Sequence, residues 1–427
     1  MPERGRTEPL PMPNLRGLRA FDAVAQCNSV SQAAELVCVS QPAVTQSIAK
    51  VEAWFGCPLL DRRSTGSYLT DAGRLVLRRV ERLFAEMNAS VAALGGDVSA
   101  APRIASMLTA SQIRSLIEVA RAHSFDEASK RLLVSRTALH RNARELEKIV
   151  GKTIYERTAA GMTTNPAGRE LARRLVLAFS EIEAAVQEVG ALRGEARSRI
   201  VIGSQPLAAG HVLALAVNDF LHAYPAATVE IVDGSYVSLL SRLRHGEVDL
   251  MFGPMKCPAN IDDVTEEVLY RDCYRVVARC GHPLACRDDI ATADLVEFDW
   301  IVPHVGTQRR AAFDRIFENT AKKPQISVNA SSIAIQLSLM RNSDRLTLLT
   351  SREIADDPQT ADFEALNYGL SISRPPDGIT ARANWVPTAP QARFMELLRD
   401  RSRPPGTQPM PPGEPEAAAA EMAQTCN

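Results

Sequence analysis

An internal repeat constrains this chain more than any other feature of its sequence. The segment 33–74 recurs at 128–169 with a constant offset of 95 residues and without a gap. Self-similarity at a fixed offset is the signature of a duplicated folding unit, so the first half is predicted to hold two copies of one small domain. The identical pairs include Ala33/Ala128, Ser40/Ser135, Ala43/Ala138, Glu52/Glu147, Gly56/Gly151, Arg62/Arg157, Ala72/Ala167, Gly73/Gly168 and Arg74/Arg169.

Each copy has the pattern of three helices followed by a β-hairpin. Small residues at Ala33-Ala34 let two helices cross closely over a short turn, and the third helix follows Ser40 or Ser135, where serine is a favoured N-cap. Segments 59–66 and 153–161 have the pattern of strand, glycine turn and strand. The pattern predicts a winged helix-turn-helix in each copy. The third helices carry apolar residues at i, i+4, i+7 and i+11: Val44, Ile48, Val51 and Phe55, and Leu139, Ala143, Leu146 and Val150.

The residues that identify a family stand in the first copy: Ser40 to Glu52, Gly56, Leu59, Arg62 and Leu69 to Gly73. They resemble the winged helix of LysR-type transcriptional regulators. The second copy is similar, but Thr137 replaces the family's proline and His140 replaces its serine or threonine. The resemblance implies a sequence-specific regulator that binds double-stranded promoter DNA, with RNA polymerase as a further partner to consider.

The candidate DNA contacts follow from the resemblance and from the chemistry of the grooves. The first turns of a recognition helix face base edges, whereas nearby arginine and lysine contact phosphates. In the first copy these are Gln41, Thr45 and Gln46 for bases, Pro42 for apolar contact, and Lys50, Arg62 and Arg63 for phosphates. In the second copy they are Arg136, His140 and Arg141 for bases, and Arg144 and Arg157 for phosphates. Two alternatives stay open: neither copy touches DNA, or the second serves packing or dimerisation alone.

A long segment without proline follows each copy and predicts a linker helix. In the second segment the apolar residues alternate spacings of four and three over three heptads, which is a coiled-coil seam. Its residues are Leu171, Leu175, Ala178, Ile182, Ala185, Val189 and Leu192. The first segment has the same register, although Ser90 interrupts it and Gly95-Gly96 end it: Val76, Val80, Leu83, Met87 and Leu94. Either stripe can pack against its own chain, but the resemblance favours pairing between chains, and so a homodimer or homotetramer.

The second half changes to alternating strands and helices. Gly203 to Pro206, Tyr224-Pro225 and Gly246 to Leu250 resemble the effector-binding domain of the same family, a two-lobed fold like that of periplasmic binding proteins. The expected fold is α/β with an α-rich N-terminal part: tandem winged helices with linker helices, then a two-lobed effector domain. Strands are predicted at 200–203, 228–232 and 249–252, paired in parallel, with helices at 212–223 and 236–245.

A small-molecule effector is expected where helices begin beyond the ends of strands, because helix N-termini offer free N–H groups. Three loops meet this condition and should converge between the lobes, with their residues as candidate effector contacts: Ser204, Gln205, Gly306, Thr307, Ser331 and Ser332. The alternative is that Ser204, Thr307 and Ser331 are only N-caps.

The sequence divides into segments as follows: winged helices at 14–73 and 108–168, linker helices at 74–96 and 169–194, an effector domain at 199–400 and a tail at 402–427. The tail has six prolines in 26 residues, a composition that cannot bury a core, so disorder is expected there.

Charge and composition exclude several classes of protein. Up to Arg199 the chain has 28 Lys or Arg against 21 Asp or Glu, and afterwards 21 against 29, so the first half is the one suited to a polyanion. No apolar run approaches the roughly 18 residues of a membrane span. Residues 1–13 hold no apolar secretory core, so a cytoplasmic protein is expected.

Catalytic chemistry has no support in the sequence. Val150 to Thr153 lacks the preceding glycine of a phosphate loop, and the seven histidines have no metal-binding spacing, so no enzyme, cofactor or metal is expected. The eight cysteines include no Cys-x-x-Cys pair and are expected to be reduced. Cys273, Cys280 and Cys286 are expected to be buried and inert rather than redox-sensing.

The function that follows is a sequence-specific transcriptional regulator controlled by a small-molecule effector. One alternative is a DNA-binding repressor or architectural protein whose sensor domain is vestigial and binds no ligand. Another is an enzyme with a fused DNA-binding domain.

Overall fold

The chain divides into two units, and their boundary falls between Ser198 and Arg199, where the sequence pattern changes. The computed structural model describes residues 12–95, 97–159, 161–194, 198–205, 210–255, 263–369 and 374–403. The predicted tail at 402–427 lies outside these residues from 404 onward, whereas Ser402 ends a helix. Among the described helices, none combines the length and the apolar character needed to cross a bilayer.

The first unit holds two segments of the same construction, each followed by a long helix. Module 1 and its helix comprise α1 (Leu15–Cys27), α2 (Val30–Leu36), α3 (Gln41–Phe55), β1 (Leu60–Arg63), β2 (Gly66–Leu69) and α4 (Asp71–Ala92). A connecting segment contains α5 (Ala101–Met107). Module 2 and its helix comprise α6 (Ala110–Ala122), α7 (Phe125–Leu132), α8 (Arg136–Val150), β3 (Tyr155–Thr158), β4 (Gly161–Thr164) and α9 (Pro166–Leu192). In both modules the two strands form an antiparallel hairpin, as predicted.

The apolar stripes of the third helices are buried as predicted. Val44, Ile48, Val51 and Phe55 of α3, and their equivalents in α8, all lie in the core of the first unit. The predicted caps differ between the copies. Ser135 accepts a hydrogen bond from the N–H of Ala138, but Ser40 occupies the N-cap position without a side-chain hydrogen bond. Pro42 removes one of the N–H donors that a cap at Ser40 could satisfy.

A glycine lets each hairpin approach its long helix closely. A Cβ on Gly73 would stand 2.0 Å from the carbonyl oxygen of Leu59, and one on Gly168 would stand 2.1 Å from that of Ile154. The residue before each long helix donates its backbone N–H to the same carbonyl, at 3.0 Å in both modules. The repeated glycine is therefore required by backbone contact.

The long helices α4 and α9 pack against each other within one chain. Their apolar stripes lie in one shared core: Val76, Val80, Leu83 and Met87 of α4, and Leu171, Leu175, Ala178, Ile182, Ala185 and Val189 of α9. Packing of each stripe against its own chain, the alternative left open by the sequence, therefore describes these residues, and the homodimer or homotetramer stays a prediction. A heptad pattern specifies that a helix needs a partner but does not say which chain supplies it.

The second unit has two lobes. Its elements are β5 (Arg199–Ser204), α10 (Gly210–Ala223), β6 (Thr228–Asp233), α11 (Tyr236–Arg244), β7 (Leu250–Pro254), β8 (Val264–Tyr270), β9 (Tyr274–Arg279), α12 (Thr292–Leu295), β10 (Trp300–Val302), α13 (Gln308–Ile316), β11 (Ile326–Asn329), α14 (Ile333–Arg341), β12 (Thr347–Thr350), α15 (Ser351–Asp356), β13 (Phe363–Ala365), β14 (Asp377–Arg382) and α16 (Ala389–Ser402).

The two lobes have separate sheets, which confirms the predicted architecture. The first lobe is a five-stranded sheet in the order β6-β5-β7-β14-β8. Its strand β5 runs parallel to β6 and β7, as predicted, whereas β14 runs antiparallel to β7 and β8. The second lobe has a three-stranded sheet, β12-β9-β13, and a parallel pair, β10-β11. The chain passes between the lobes after β8 and again before β14.

We expect Gly73→Ala and Gly168→Ala each to lower the free energy of unfolding by about 1–3 kcal/mol or more, because the new Cβ must push a backbone carbonyl away. Urea unfolding followed by circular dichroism measures the change. Gly210→Ala is the control, since its Cβ would meet nothing within 4 Å. An unchanged unfolding midpoint in both test variants would contradict the close approach.

Candidate DNA interface and effector cavity

The residues predicted to read DNA in module 1 lie on the outer face of α3. Gln41, Pro42, Gln46 and Lys50 are exposed, opposite the buried stripe. Thr45 is half-buried, and its hydroxyl donates a hydrogen bond to the carbonyl of Gln41 at 3.1 Å. The hydroxyl proton of Thr45 is thus used within the helix, which leaves its methyl group and lone pairs for a base edge.

The equivalent residues of module 2 are not all free to contact DNA. Arg141 and Arg144 of α8 are exposed. Arg136 is exposed too, but its Nε lies 2.8 Å from Oδ1 of Asp126. His140 is half-buried, and its ring centroid lies 4.8 Å from that of Phe125. Arg141 is therefore the best placed of the three predicted base contacts in this module.

The two recognition helices differ in chemistry at equivalent positions. With the offset of 95, Gln46 of α3 corresponds to Arg141 of α8, and Lys50 corresponds to Glu145. Amide side chains pair well with adenine in the major groove, whereas arginine pairs with guanine. The two helices are accordingly suited to different base sequences.

The hairpins carry three of the predicted phosphate contacts, Arg62, Arg63 and Arg157. Arg62 on β1 and Arg157 on β3 occupy equivalent positions and are both exposed. Arg63 pairs with Asp61 at 2.8 Å, and its guanidinium carbon lies 5.7 Å from the centre of the Tyr68 ring. A surface pair of this kind holds the side chain only weakly, so Arg63 can exchange Asp61 for a phosphate.

A glutamate in each module fixes the hairpin to the recognition helix. Oε1 of Glu52 accepts hydrogen bonds from the backbone N–H groups of Leu59 and Leu60 at 2.9 and 3.1 Å. Oε1 of Glu147 accepts the equivalent two bonds at the same two distances. Hydrogen bonds to a carboxylate are stronger than neutral ones, so they set where the hairpin stands beside the helix. Reasoning from the sequence gave these glutamates no role, although their identity in both copies was the signal.

The predicted effector contacts are divided between the two lobes. Ser204 is the buried last residue of β5, and Nε2 of Gln205 donates to the carbonyl of Pro254 at 2.7 Å. Thr307 is the N-cap of α13, the role that the alternative interpretation gave it, whereas the N-cap of α14 is Ser332 and not Ser331, which that interpretation had named. Of the other two, Gly306 is exposed with φ 92° and Ser331 is half-buried.

A cavity of about 360 Å³ lies between the lobes. The first turns of α10 and α14 form part of its wall, and the six predicted effector contacts are not among its lining residues. Its lining comprises Gly210, His211, Val212 and Ala214 from the first lobe, and Ile333, Ala334, Arg352, Glu353, Asp356, Asp357 and Gln359 from the second. The volume is within the range of small-molecule sites, roughly 300–1,000 Å³.

Buried ion pairs lie beside this cavity and at the crossings between the lobes. Nη2 of Arg309 donates to both carboxylate oxygens of Glu353, at 2.6 and 2.7 Å. Arg374 lies 2.7 Å from Asp377 and 3.9 Å from Asp272, which stands on the other crossing. Burial raises the pKa of Asp377 to about 6, although Arg374 acts to lower it. Arg374 thus links the two crossings.

Family models match both units of the chain. The model described as bacterial regulatory helix-turn-helix protein, lysR family, matches residues 15–74 and again residues 110–169. The LysR substrate binding domain matches residues 193–403. The chain belongs to the LysR family of transcriptional regulators. It is a DNA-binding regulator controlled by an effector, and its two-lobed unit is the family's substrate-binding domain.

This LysR-family chain is similar to known regulators over most of its length. It is 25% identical over 389 residues to the HTH-type transcriptional regulator GalR of Pseudomonas putida, across 91% of this chain and 97% of that protein. It is 26% identical over 293 residues to PcaQ of Agrobacterium fabrum, across 67% and 93%. A full-length OxyR variant from Pseudomonas aeruginosa has a TM-score of 0.48 at 19% identity, across 71% of this chain and 99% of that one.

The cysteines of the substrate-binding domain are more accessible than the sequence suggested. Cys273 is half-buried, with its Sγ 3.2 Å from Oγ of Ser351. Cys280 and Cys286 are exposed, so the expectation of buried thiols is wrong for these two. Both stand in turns at the surface of the second lobe, outside its apolar core.

We expect Asp377→Asn to reduce the pH dependence of stability in the acid range. The folded-state pKa of Asp377, about 6, lies above its ordinary value of 3.8, so the folded chain holds this proton more tightly. The contribution of Asp377 to the free energy of unfolding is therefore complete below pH 3.8 and is lost as the pH rises through about 6. Urea unfolding of both proteins across this range measures the difference, and equal slopes would contradict the assignment.

Proposed function

We propose that both modules of this LysR-family chain bind DNA, so that one chain presents two recognition helices to a promoter. The supporting observation is that Glu52 and Glu147 fix the two hairpins with the same pair of hydrogen bonds. The outer faces of α3 and α8 remain exposed beside these hairpins. A copy that served packing alone would not need its hairpin held beside an exposed, arginine-bearing helix face.

The roles of individual residues follow from exposure and chemistry. We assign base contacts to Gln41, Pro42, Thr45 and Gln46 in module 1, and phosphate contacts to Lys50, Arg62 and Arg63. In module 2, Arg141 is the leading base contact, and Arg144 and Arg157 contact phosphates. Arg136 joins the base contacts when DNA displaces Asp126, and we also assign a base contact to His140, which is half-buried beside Phe125.

Selection of bound duplexes from a random library, at stated salt, tests the use of both modules. We expect Gln46→Ala and Arg141→Ala to relax different parts of the selected motif, since each base contact is worth about 1–3 kcal/mol of discrimination. Lys148→Ala is the matched control for Arg141→Ala, because it removes an exposed positive charge from the far end of α8. A motif unchanged by Arg141→Ala would show that module 2 does not read sequence.

We further propose that the effector binds in the cavity between the lobes. Ser331 and Ser332 lead directly into Ile333 and Ala334 of the cavity wall. Ser204, Gln205, Gly306 and Thr307 stand at strand and helix ends, where closure of the lobes can bring them to a ligand. Binding would favour the closed arrangement of the lobes and thereby alter how the modules meet DNA.

A cavity-filling substitution tests this location. We expect small molecules that raise the melting temperature of the wild type to lose that effect in Ala334→Trp, because the indole occupies the cavity that Ala334 lines. Ala311→Trp is the control, since Ala311 is an exposed helical alanine of the same lobe outside the cavity lining. Equal ligand-induced shifts in all three proteins would place the ligand elsewhere.

A further inference from the structure

We infer, on the basis that both modules bind DNA as proposed, that a single chain forms the complete two-module DNA-binding unit. One chain then occupies a two-part, asymmetric DNA site without help from a second chain. Within the chain, α4 pairs with α9 in an antiparallel direction, and buried charged residues make this pairing specific for these two helices.

The contact between α4 and α9, here called the seam, contains ion pairs which show that the two helices run antiparallel. Arg78 and Arg79, near the start of α4, contact Glu188 near the end of α9. One turn further along α4, Arg82 contacts Glu181, which lies two turns earlier on α9. Antiparallel pairing of two equivalent helices places the attached modules at opposite ends of the seam, in a near-twofold arrangement.

Module 1 also contacts the far end of α9. Nη1 of Arg193, the residue after α9, donates to the carbonyl of Gly56 at the end of α3 at 3.0 Å. The connecting helix α5 packs against α4, and Nη2 of Arg19 in α1 donates to the carbonyl of Ala105 at 2.9 Å. The segment that joins the two modules is thus itself docked on module 1, which keeps the pairing within the chain.

The seam is specific for one α4 and one α9. Arg79 is 1% exposed and lies 2.8 Å from Glu181 and 2.5 Å from Glu188, whose side chains are each 8% exposed. With the offset of 95, the position of Glu188 in α9 corresponds to Ala93 beyond α4. Two α4 helices from different chains cannot rebuild this arrangement, because each buried arginine would lose a carboxylate.

The residue of α9 that is equivalent to Arg79 does not make the same ion pairs across the seam. Arg174 of α9 is the equivalent of Arg79, but it pairs with Glu170 on its own helix at 2.7 Å. The two halves of the seam are therefore no longer interchangeable. The recognition helices differ in the same way, with glutamines in α3 where α8 has arginines. A DNA site for this unit should have unlike halves, the second richer in guanine contacts.

Complementation between two full-length variants tests whether pairing is within the chain. Gln46→Ala impairs module 1 and Arg141→Ala impairs module 2, and neither residue touches the seam. We expect an equimolar mixture to bind a short duplex with one selected site no better than either variant alone, each at least tenfold weaker than wild type. Pairing between chains would instead restore binding in the mixture, because some pairs would combine the two intact modules.

Stoichiometry on the same duplex provides the second readout. Native mass spectrometry of the wild-type complex should give one duplex per chain, whether or not chains associate through their other domain. Two chains per duplex would overturn the inference and leave the DNA-binding proposal intact. Failure of the wild type to select any DNA would instead refute the proposed function itself.

Charge reversal tests the role of the seam. We expect Arg79→Glu to weaken binding to the two-part site at least tenfold, and reversal of the whole cluster, Arg78→Glu, Arg79→Glu and Arg82→Glu with Glu181→Arg and Glu188→Arg, to recover most of it. Arg74→Glu is the control, since Arg74 lies on the exposed side of α4. If Arg79→Glu binds as wild type does, the seam does not set the arrangement of the modules.

Discussion

The arrangement of the DNA-binding half depends on one buried guanidinium. Arg79 lies between the carboxylates of Glu181 and Glu188, within an otherwise apolar seam. Burial acts to lower the pKa of Arg79, but the hydrogen bonds with the two glutamates and their negative charges together outweigh it and raise the pKa above its ordinary value. A charge held this way resists sliding of α4 along α9, because a shift of one turn would take it away from one of its two carboxylates. The seam therefore fixes the positions of both modules.

The substrate-binding domain uses buried charge in a different place. Arg374 links the two crossings between the lobes, and Glu353 belongs both to the cavity wall and to the buried pair with Arg309. A ligand in the cavity would thus meet the carboxylate of Glu353, which is already paired with Arg309.

Much of the fold could be predicted because periodicity and repetition are local properties of a sequence. The stripes of α3 and α8, the hairpins and the parallel β5-β6-β7 strands all follow from the spacing of apolar residues. The partner of a stripe is not local, so the heptads of α4 and α9 predicted an association but did not say that these two helices of one chain pack against each other.

The site residues were harder to predict for a related reason. A glutamate in a helix has the same local pattern whether it is solvated or, like Glu52, accepts two backbone N–H groups seven and eight residues later. The lining of the cavity brings together α10, α14 and α15, which no local spacing relates. Thr307 and Ser332 were predicted as effector contacts because they stand where helices begin, and residues at helix N-termini serve as N-caps as well as ligand contacts.

The connection through α5 has a consequence for how occupancy responds to the amount of protein. Modules joined by a short, docked segment meet at a local concentration set by that segment and not by the number of chains in the cell. Occupancy of a DNA site by such a unit rises with the first power of chain concentration. Occupancy by a pair assembled from two separate, scarce chains rises instead with the square of chain concentration. A regulator built on one chain therefore responds in proportion to its own expression, without a threshold.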